Sequence, residues 1–519
     1  IYKYVMVLMN KVEEKIVPKT LFELLKGQLE ISNCDFMDRK ITGIQLDSRL
    51  VDTDDLFMAC FGRNHDARNF IDQAIRKGCG AVLAEFTSGM DKLEMRANVP
   101  IVGIENLSRK VSEIANRFYN YPSSQLKVIG ITGTNGKTSC SKFLATALQK
   151  LGYRCGMMGT LGCGVPDALE RTLLTTPDAV FSQRQLAQMV SKNCEHVAME
   201  VSSVGLDQKR VEAIRFDTAV FTNLTRDHLD YHKTMSAYAD SKRRLFQWPD
   251  LKSAVLNLDD EFSLSLINDI RKEVEVFTYS VSNKSASVYS EGLTFSKSGY
   301  SAFINTPFGC KKLSGELLGR FNFSNILAVI ATLISLMSRE DSGHIDLAKI
   351  LDSISSLSSA DGRMEIVNGS NEITTIVDYA HTPDSLRNAL ETLKCHFKGE
   401  IWCVFGCGGN RDEGKRPIMG EIAESFADHI VITDDNPRNE PGDRIVSQIL
   451  SGIQKHQNVS IIRNRAKAIS HAITNASPAD LIFIAGKGHE TYQEISGRRV
   501  IFSDKVHAKS ALRARGGVA

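Results

Sequence analysis

The sequence predicts an α/β protein of three domains: a small α/β unit, a central nucleotide-binding domain with a mostly parallel sheet, and a C-terminal doubly wound domain. Three observations predict this. The chain has 519 residues and 42% hydrophobic content, more than one core usually organises, and its length suggests about three domains. Short apolar runs alternate with helix-compatible stretches along most of it, the pattern of strands and helices in alternation. A glycine-rich turn at 133–138 lies between an apolar run and a helical pattern, where phosphate-binding turns occur.

In residues 1–108, the apolar runs Ile41–Leu46 and Ala81–Ala84 alternate with helical patterns, giving the first α/β unit. A helical stretch over Ser108–Tyr119 and the break Tyr121-Pro122-Ser123-Ser124 open residues 109–358. There the strand Leu126–Thr132 precedes the helix Ser139–Leu151, and buried strands follow at His196–Val201, Thr218–Thr222 and Ala254–Asn257. Their spacing makes the central domain P-loop ATPase-like. Serine-rich Ser353–Asp361 reads as a linker. In residues 359–519, the runs Thr374–Val377, Ile401–Phe405, His429–Thr433 and Leu481–Ala485 are spaced by helices, a Rossmann-like arrangement.

Composition excludes several function classes. The 63 basic and 61 acidic residues give a net charge of +2 with no long block of like charge, which suits neither nucleic acid nor an anionic membrane. The longest early apolar run, Val5–Met9, is far below the roughly 18 residues of a spanning helix, and no cleavage site follows it, so a cytoplasmic location without membrane insertion is expected. The chain opens on Ile1, with Met6 and Met9 close behind, and these residues carry no functional weight. The eleven cysteines are scattered, and the pair Cys403 and Cys407 lacks the paired spacing of a zinc site. They are expected to be free thiols.

In Gly133-Thr134-Asn135-Gly136-Lys137-Thr138 the glycines let backbone N–H groups close round phosphate oxygens, Lys137 neutralises the outer phosphates, and Thr138 offers a hydroxyl to magnesium. A strict Walker pattern has glycine where Ile131 stands, so the generic motif is incomplete although its context is right. Gly406 to Arg411 also follows a strand but does not complete the dinucleotide fingerprint, which rejects a nicotinamide cofactor.

Glu200 ends one predicted strand, and a second runs into Asn223 to His232, bringing His228 to the carboxyl edge where α/β sheets gather ligands. A carboxylate there suits magnesium, and an imidazole suits it less, since magnesium prefers oxygen. Lys242 follows on a helix and, taken alone, reads as solvated.

Taken together, these residues resemble the Mur ligases of peptidoglycan synthesis, over nearly the whole chain. The motifs are Asp47-Ser48-Arg49, Gly133 to Thr138, Thr175-Thr176-Pro177-Asp178, Glu200 to Arg210, Asn223 to His232, Lys242, and Gly319 to Asn322 with Asn325. They continue with Gly362 to Glu365, Asp378 to Pro383, Gly406 to Arg416, Asp435 to Arg438, and Gly486 to Glu490. Within the family, the likeness is to the branch that joins meso-diaminopimelate to UDP-N-acetylmuramoyl-L-alanyl-D-glutamate.

The resemblance implies an ATP-dependent amide synthesis in which the D-glutamate side-chain carboxylate takes the γ-phosphoryl group and the diaminopimelate amine attacks the acyl phosphate. It implies catalytic roles for Lys137, Glu200, His228 and Lys242, with magnesium on Thr138, Glu200, His228 and a carbamylated Lys242. ATP would meet Gly133, Thr134, Asn135, Gly136, Lys137, Thr138, Asn322, Arg363 and Asp378. The N-terminal domain becomes the uridine-binding one, and Ser48, Thr175, Thr176, Ser202 and Arg210 would hold the UDP-MurNAc-dipeptide. Arg411, Asp435, Asn436, Arg438, Gly486 and Glu490 would hold diaminopimelate. Arg438 could pair with its distal carboxylate, a group lysine lacks. A monomer is expected.

Two residues depart from the family pattern: Val204 stands where histidine is common, and Asp361 where proline is usual. The rivals are a lysine-adding ligase, a folylpolyglutamate synthase, and a nucleotide-binding regulator that performs no ligation.

Overall fold

The computed structural model describes residues 17–27, 35–62, 66–87, 92–172, 174–296, 299–339, 345–367 and 373–516. The early apolar run Val5–Met9 lies outside them. The described chain forms two compact units, one ending at Lys127 but also drawing in Thr176–Glu195 and Gly205–Arg215, the other made of Val128–Thr175, His196–Val204 and the chain from Phe216 onward.

The first unit is built on a five-stranded sheet in the order Gly43–Gln45, Asp55–Ala59, Ala81–Glu85, Val99–Ile104, Leu93–Arg96. Its strands are parallel except Leu93–Arg96. Asp55–Ala59 and Val99–Ile104 are buried throughout and read as continuous apolar runs, as parallel strands covered on both faces do. Helix Leu107–Phe118 packs Leu107, Val111, Ile114 and Phe118 onto one side. Glu85, at the end of a central strand, starts that helix by accepting from the N–H groups of Leu107 and Ser108, at 3.0 and 3.2 Å.

The second unit holds two large sheets. The ten-stranded one runs Gly162–Gly164, Cys155–Gly159, His196–Glu200, Lys127–Thr132, Phe216–Phe221, Ser253–Asn257, Glu275–Ser280, Val288–Ser296, Gly299–Thr306, Gly309–Gly315. It is mostly parallel at its centre and ends in an antiparallel meander from Val288 to Gly315. Its outermost strand, Gly309–Gly315, is exposed at Lys311 and Lys312. Helix Arg320–Met337, whose residues from Phe323 to Met337 are almost all buried, fills the core beside it. It is long and apolar enough to cross a membrane, yet 78% of its apolar window is buried inside the protein.

The six-stranded sheet runs Glu365–Val367, Thr374–Asp378, Leu481–Ala485, Ile401–Phe405, His429–Ile432, Val459–Ile461, parallel except for Glu365–Val367. The strand inserted last in sequence lies second to Thr374–Asp378, so the chain reverses direction of travel across the sheet there. Ligands gather at the carboxyl ends beside such a point.

The fold class stands as expected: mixed α/β with a large, mostly parallel central sheet. Two details differ from the sequence reading. Ser353–Ser355 are the last turn of helix Leu347–Ser355, with Ser353 and Ile354 buried, so irregular chain begins only at Ser356. Serine-rich composition hid the apolar stripe Leu347, Ile350, Leu351, Ile354. The second difference is the three-stranded antiparallel meander from Val288 to Gly315, which extends the sheet beyond its parallel strands.

Candidate active site

The phosphate loop follows strand Lys127–Thr132 and opens helix Lys137–Lys150. Gly133 and Gly136 have φ of +148° and +90°. A Cβ on Gly133 would lie 1.9 Å from Thr222 Oγ1, and one on Gly136 would lie 2.4 Å from Asn325 Oδ1. Both positions therefore require glycine. The loop is held from the neighbouring strand end: Asn135 N donates to Asn223 Oδ1 at 2.9 Å, Thr222 Oγ1 donates to Asn135 O at 2.6 Å, and Thr225 N donates to Thr134 Oγ1 at 2.9 Å. Asn135 Nδ2 also donates to Asp384 Oδ2 at 3.0 Å, on the helix following the first long strand of the other sheet.

Lys137 Nζ donates to the carbonyls of Gly133 and Thr134, each at 2.8 Å. Thr138 Oγ1 donates to Glu200 Oε2 at 2.9 Å, and Thr160 N donates to Glu200 Oε1 at 2.8 Å. Burial pushes the Glu200 carboxyl up, against the pull of Lys137 and these hydrogen bonds. Burial likewise lowers the Lys137 ammonium, while Glu200 and Asp227 oppose it.

Lys242 lies on helix Met235–Arg243 and is 1% exposed. Its isolated reading as a solvated lysine is overturned. The helix turns Lys242 inward, its Nζ donating to Gly133 O at 2.8 Å and standing 4.4 Å from the centre of the Tyr238 ring. Burial, reinforced by the nearby Lys137 cation, drives its pKa well below the usual lysine range, although Asp227 acts the other way. One carbonyl thus serves two amines.

His228 has φ of +54° and stands next to Asp227, whose Oδ1 accepts from the His228 N–H at 2.8 Å. Buried Asp227 also faces His381 at 3.8 Å. Burial would raise its carboxyl, but His228, Lys415 and His381 together bring it below the usual range. Lys415 Nζ donates to His381 O at 2.8 Å, and His381 Nδ1 donates to Tyr379 O at 2.8 Å. Burial and Lys415 lower the His381 imidazole to about 4.

From the C-terminal sheet, Arg363 reaches Thr138 Oγ1 with Nη2 at 3.3 Å, and its guanidinium lies 4.5 Å from the Tyr379 ring centre. Asp378, ending its strand, accepts from Met364 N at 2.6 Å and Ala380 N at 2.7 Å. Burial pushes its carboxyl up to about 6 despite Arg363. Asn322 is buried near the start of its helix, with Nδ2 donating to Leu318 O at 2.9 Å. Lys142 Nζ donates to Ser359 O at 3.0 Å and lies 3.9 Å from Asp361, so the departing aspartate meets a lysine at the entry to Gly362 and Arg363.

A second cluster gathers at the carboxyl ends of the six-stranded sheet. Asn436 Nδ2 donates to Glu490 Oε2 at 2.9 Å, and Lys487 Nζ donates to Glu490 Oε2 at 2.6 Å and Asn436 Oδ1 at 3.1 Å. Arg438 adopts φ of +54°, donates through Nη1 to Gly409 O at 2.8 Å, and lies 3.5 Å from Glu494. The hairpin Tyr492–Ile501 pins the segment: Arg438 N donates to Glu494 O at 2.9 Å, Ser496 N to Arg438 O at 2.7 Å, and Gln493 Nε2 to Asp435 O at 2.7 Å. Gly486, with φ of +116°, carries the turn past Asp435. Arg411 stands apart from this cluster's centre, 3.7 Å from Asp230 of the segment beyond His228.

The remaining sequence-expected residues fall on different units. In the first, Ser48 Oγ donates to Gln73 Oε1 at 2.9 Å, and Arg210 Nη1 donates to the carbonyl of buried Thr176 at 2.7 Å. In the second, Thr175 Oγ1 accepts from Thr160 Oγ1 at 3.2 Å, and Ser202 and Val204 are half-buried. Sequence reasoning missed Thr160, Asp227, His381, Lys415 and Lys487 as site residues. Asp227, His381, Lys415 and Lys487 lie inside quoted motifs, but nothing in a motif distinguishes a buried charge from a solvated one.

A nucleotide loop with a carboxylate and two lysines, facing an arginine and an aspartate from a second α/β sheet, defines an ATP-dependent ligase. The model of the Mur ligase middle domain matches residues 131–333, and that of the Mur ligase glutamate ligase domain matches residues 362–488. The chain belongs to the Mur ligase family. It is 45% identical over 480 residues to the UDP-N-acetylmuramoyl-L-alanyl-D-glutamate--2,6-diaminopimelate ligase of Pseudomonas aeruginosa, covering 92% of this chain and 96% of that one. The ligase of the same name from Coxiella burnetii is 41% identical over 498 residues, covering 95% and 99%. A solved structure of a ligase with that name superposes with a TM-score of 0.66 at 34% identity, covering 96% of this chain and 99% of the other. A folylpolyglutamate synthase from Mycobacterium tuberculosis, at 16% identity, TM-score 0.60 and 79% coverage of this chain, shares the fold alone.

Proposed function

We propose that this protein joins meso-diaminopimelate to UDP-N-acetylmuramoyl-L-alanyl-D-glutamate, cleaving ATP to ADP and phosphate, as a cytoplasmic step of peptidoglycan synthesis. The observation that carries the reading is the meeting of Glu200 and Arg363 on the hydroxyl of Thr138. It brings a carboxyl and a guanidinium from two sheets to the first turn of the phosphate-loop helix.

A carboxylate is a poor electrophile. Transfer of the γ-phosphoryl group to the D-glutamate side chain turns one of its oxygens into a leaving group, and the amine of diaminopimelate then displaces phosphate. The N–H groups of Gly136 and Lys137, at the start of the helix, and the Lys137 ammonium hold the β- and γ-phosphates, while Asn223 holds the loop by accepting from the N–H groups of Thr134 and Asn135. Arg363 bears on the charge spread over the transferring group. Asp378 fixes the backbone just after Arg363 and just after Tyr379 by accepting from Met364 N and Ala380 N, and Asn322 is assigned to the nucleotide with them.

The donor set fits magnesium: hydroxyl and carboxylate oxygens of Thr138 and Glu200, 2.9 Å apart, are hard ligands. Among the described residues no three His, Cys, Asp or Glu side chains gather as a metal cage. The ion would be held largely by substrate phosphates, with Thr138 and Glu200 at one position and His228 with Lys242 at another. There magnesium would neutralise phosphate charge. The depressed pKa of Lys242 leaves a neutral amine able to form a bond to the carbon of CO2, losing a proton to water. The product carbamate is an anionic oxygen ligand beside Lys137.

Ser48, Thr175, Thr176, Ser202 and Arg210 are assigned to the UDP-sugar peptide, and Arg411, Asp435, Asn436, Arg438, Gly486 and Glu490 to diaminopimelate. The roles follow the segments 1–108, 109–358 and 359–519, in a monomer without membrane insertion. Phosphate release tests the reading, with ATP, magnesium and the UDP-MurNAc-dipeptide supplied together with meso-diaminopimelate, L-lysine or no amine. Release and a tripeptide product mass with diaminopimelate alone are expected; preference for lysine, or silence with both, would overturn it.

A further inference from the structure

The six-stranded sheet buries a lysine for which the phosphoryl-transfer chemistry has no use. Lys487 is 0% exposed, between Gly486 and Gly488, both at positive φ. Its ammonium donates two hydrogen bonds, to Glu490 Oε2 at 2.6 Å and to Asn436 Oδ1 at 3.1 Å, and lies 3.6 Å from Asp435 Oδ1, close enough for charge attraction but not for a hydrogen bond. These three side chains come from two loops, after strands His429–Ile432 and Leu481–Ala485, which Lys487 and the Asn436–Glu490 hydrogen bond tie together.

Each contact fixes something. Asn436 Oδ1 accepts from both Lys487 and Glu494 N, the latter at 2.9 Å, so its amide is turned with Nδ2 toward Glu490. Glu490 is thereby held from two sides through one oxygen, Oε2. Asp435 Oδ1 is buried and accepts no hydrogen bond within the protein, the arrangement of an acceptor awaiting a ligand's donor.

We propose that Lys487 is a positioning residue which aims Glu490, Asn436 and Asp435 as one anionic face at an ammonium group of the incoming diamino acid. The inference rests on the diaminopimelate reading of this pocket. Lys487 does not itself touch substrate. It sets the amide orientation and keeps two neighbouring carboxylates compatible at a distance where they would otherwise repel, leaving a net negative face for a cation.

The groups facing Glu490 are Asp435 and Asn436 from one loop, Lys487 from its own, the Arg465 cation behind it, and the Tyr379 and Tyr492 rings. Burial and Asp435 raise the Glu490 carboxyl, and Lys487 opposes them. Removing Lys487 therefore leaves Glu490 protonated to higher pH.

The test is Lys487→Met in the full-length protein, with steady-state kinetics from pH 6 to pH 9. Turnover of diaminopimelate by the unmodified protein comes first, and its failure would remove the functional reading rather than this one. In the variant the KM for diaminopimelate rises by about tenfold or more, as for a lost hydrogen bond to a charged group. The KM for ATP holds, and the acidic limb of kcat/KM for diaminopimelate moves to higher pH. A double-mutant cycle with Glu490→Gln guards against a general packing defect: in that background Lys487→Met costs clearly less than it does alone. Equal rises in both KM values, an unmoved acidic limb, or additive effects would each overturn the proposal.

Discussion

Arg363 Nη2 donates to Thr138 Oγ1 across 3.3 Å, although 225 residues separate the two along the chain. The bond links the phosphate-loop helix to the turn that enters the six-stranded sheet, so it holds the two sheets together at the phosphate loop.

Arg363→Ala is expected to lower kcat by about a hundredfold or more, the scale of losing one preorganised donor to a reacting group. Arg363→Lys recovers little, because an ammonium lacks both the fork and the flat face that stacks on Tyr379. Saturating kinetics of both variants check this; an unchanged kcat in Arg363→Ala would remove the arginine from the phosphoryl step.

Lys242→Ala is expected to abolish ligation and to recover partly with a small added carboxylate. A ¹³C carbamate signal from labelled bicarbonate should appear in the parent protein and vanish in the variant. The carbamate forms from the neutral amine, so activity lost after CO2 removal at acidic pH returns on adding bicarbonate at alkaline pH. Full activity of Lys242→Ala without rescue would end the carbamate role.

Arg438→Ala should cut discrimination between diaminopimelate and L-lysine by about tenfold or more, since the variant loses the cation that would pair with the distal carboxylate lysine lacks. Competition between the two amines, followed by product mass, measures it. Selectivity equal to that of the parent would place the discrimination elsewhere in the pocket.

Asp378 gives a pH signature. Its carboxyl is raised from 3.8 to about 6 in the folded state, so the folded form binds the extra proton between those values. The resulting penalty grows as pH rises through that window and is constant above it. Asp378→Asn lacks the titration, so its stability relative to the parent should improve from pH 4 to pH 7 by at most roughly 3 kcal/mol. Melting temperatures across the window test the slope, whatever constant loss the amide causes by offering Met364 and Ala380 one acceptor fewer. A flat difference would mean that Asp378 titrates normally.

The core strands were legible because burial on both faces leaves continuous apolar runs, as in Ile401–Phe405 and Leu481–Ala485. The meander from Val288 to Gly315 was not, because its strands bury only one side, so that residues such as Tyr300, Ala302 and Ile304 alternate with less buried ones and form no continuous apolar run. The phosphate loop could be read from Gly, Lys and Thr at fixed spacing. Lys242 could be given a role only through resemblance, since a lysine on a short helix carries no mark of whether the helix turns it inward. The same limit hid Lys487 and Asp227, which join a near neighbour to a residue far away in sequence, Glu490 to Asn436 and His228 to His381.

Lys311 and Lys312 are consecutive and exposed on Gly309–Gly315, an edge strand of the ten-stranded sheet, and so present one ammonium group to each face. A strand edge is a template on which another chain can add, and lysines at the edge on both faces oppose that growth by charge repulsion. Their placement guards the protein against fibril-like stacking at the end of its largest sheet; replacing both with valine would turn that boundary into a seed for aggregation.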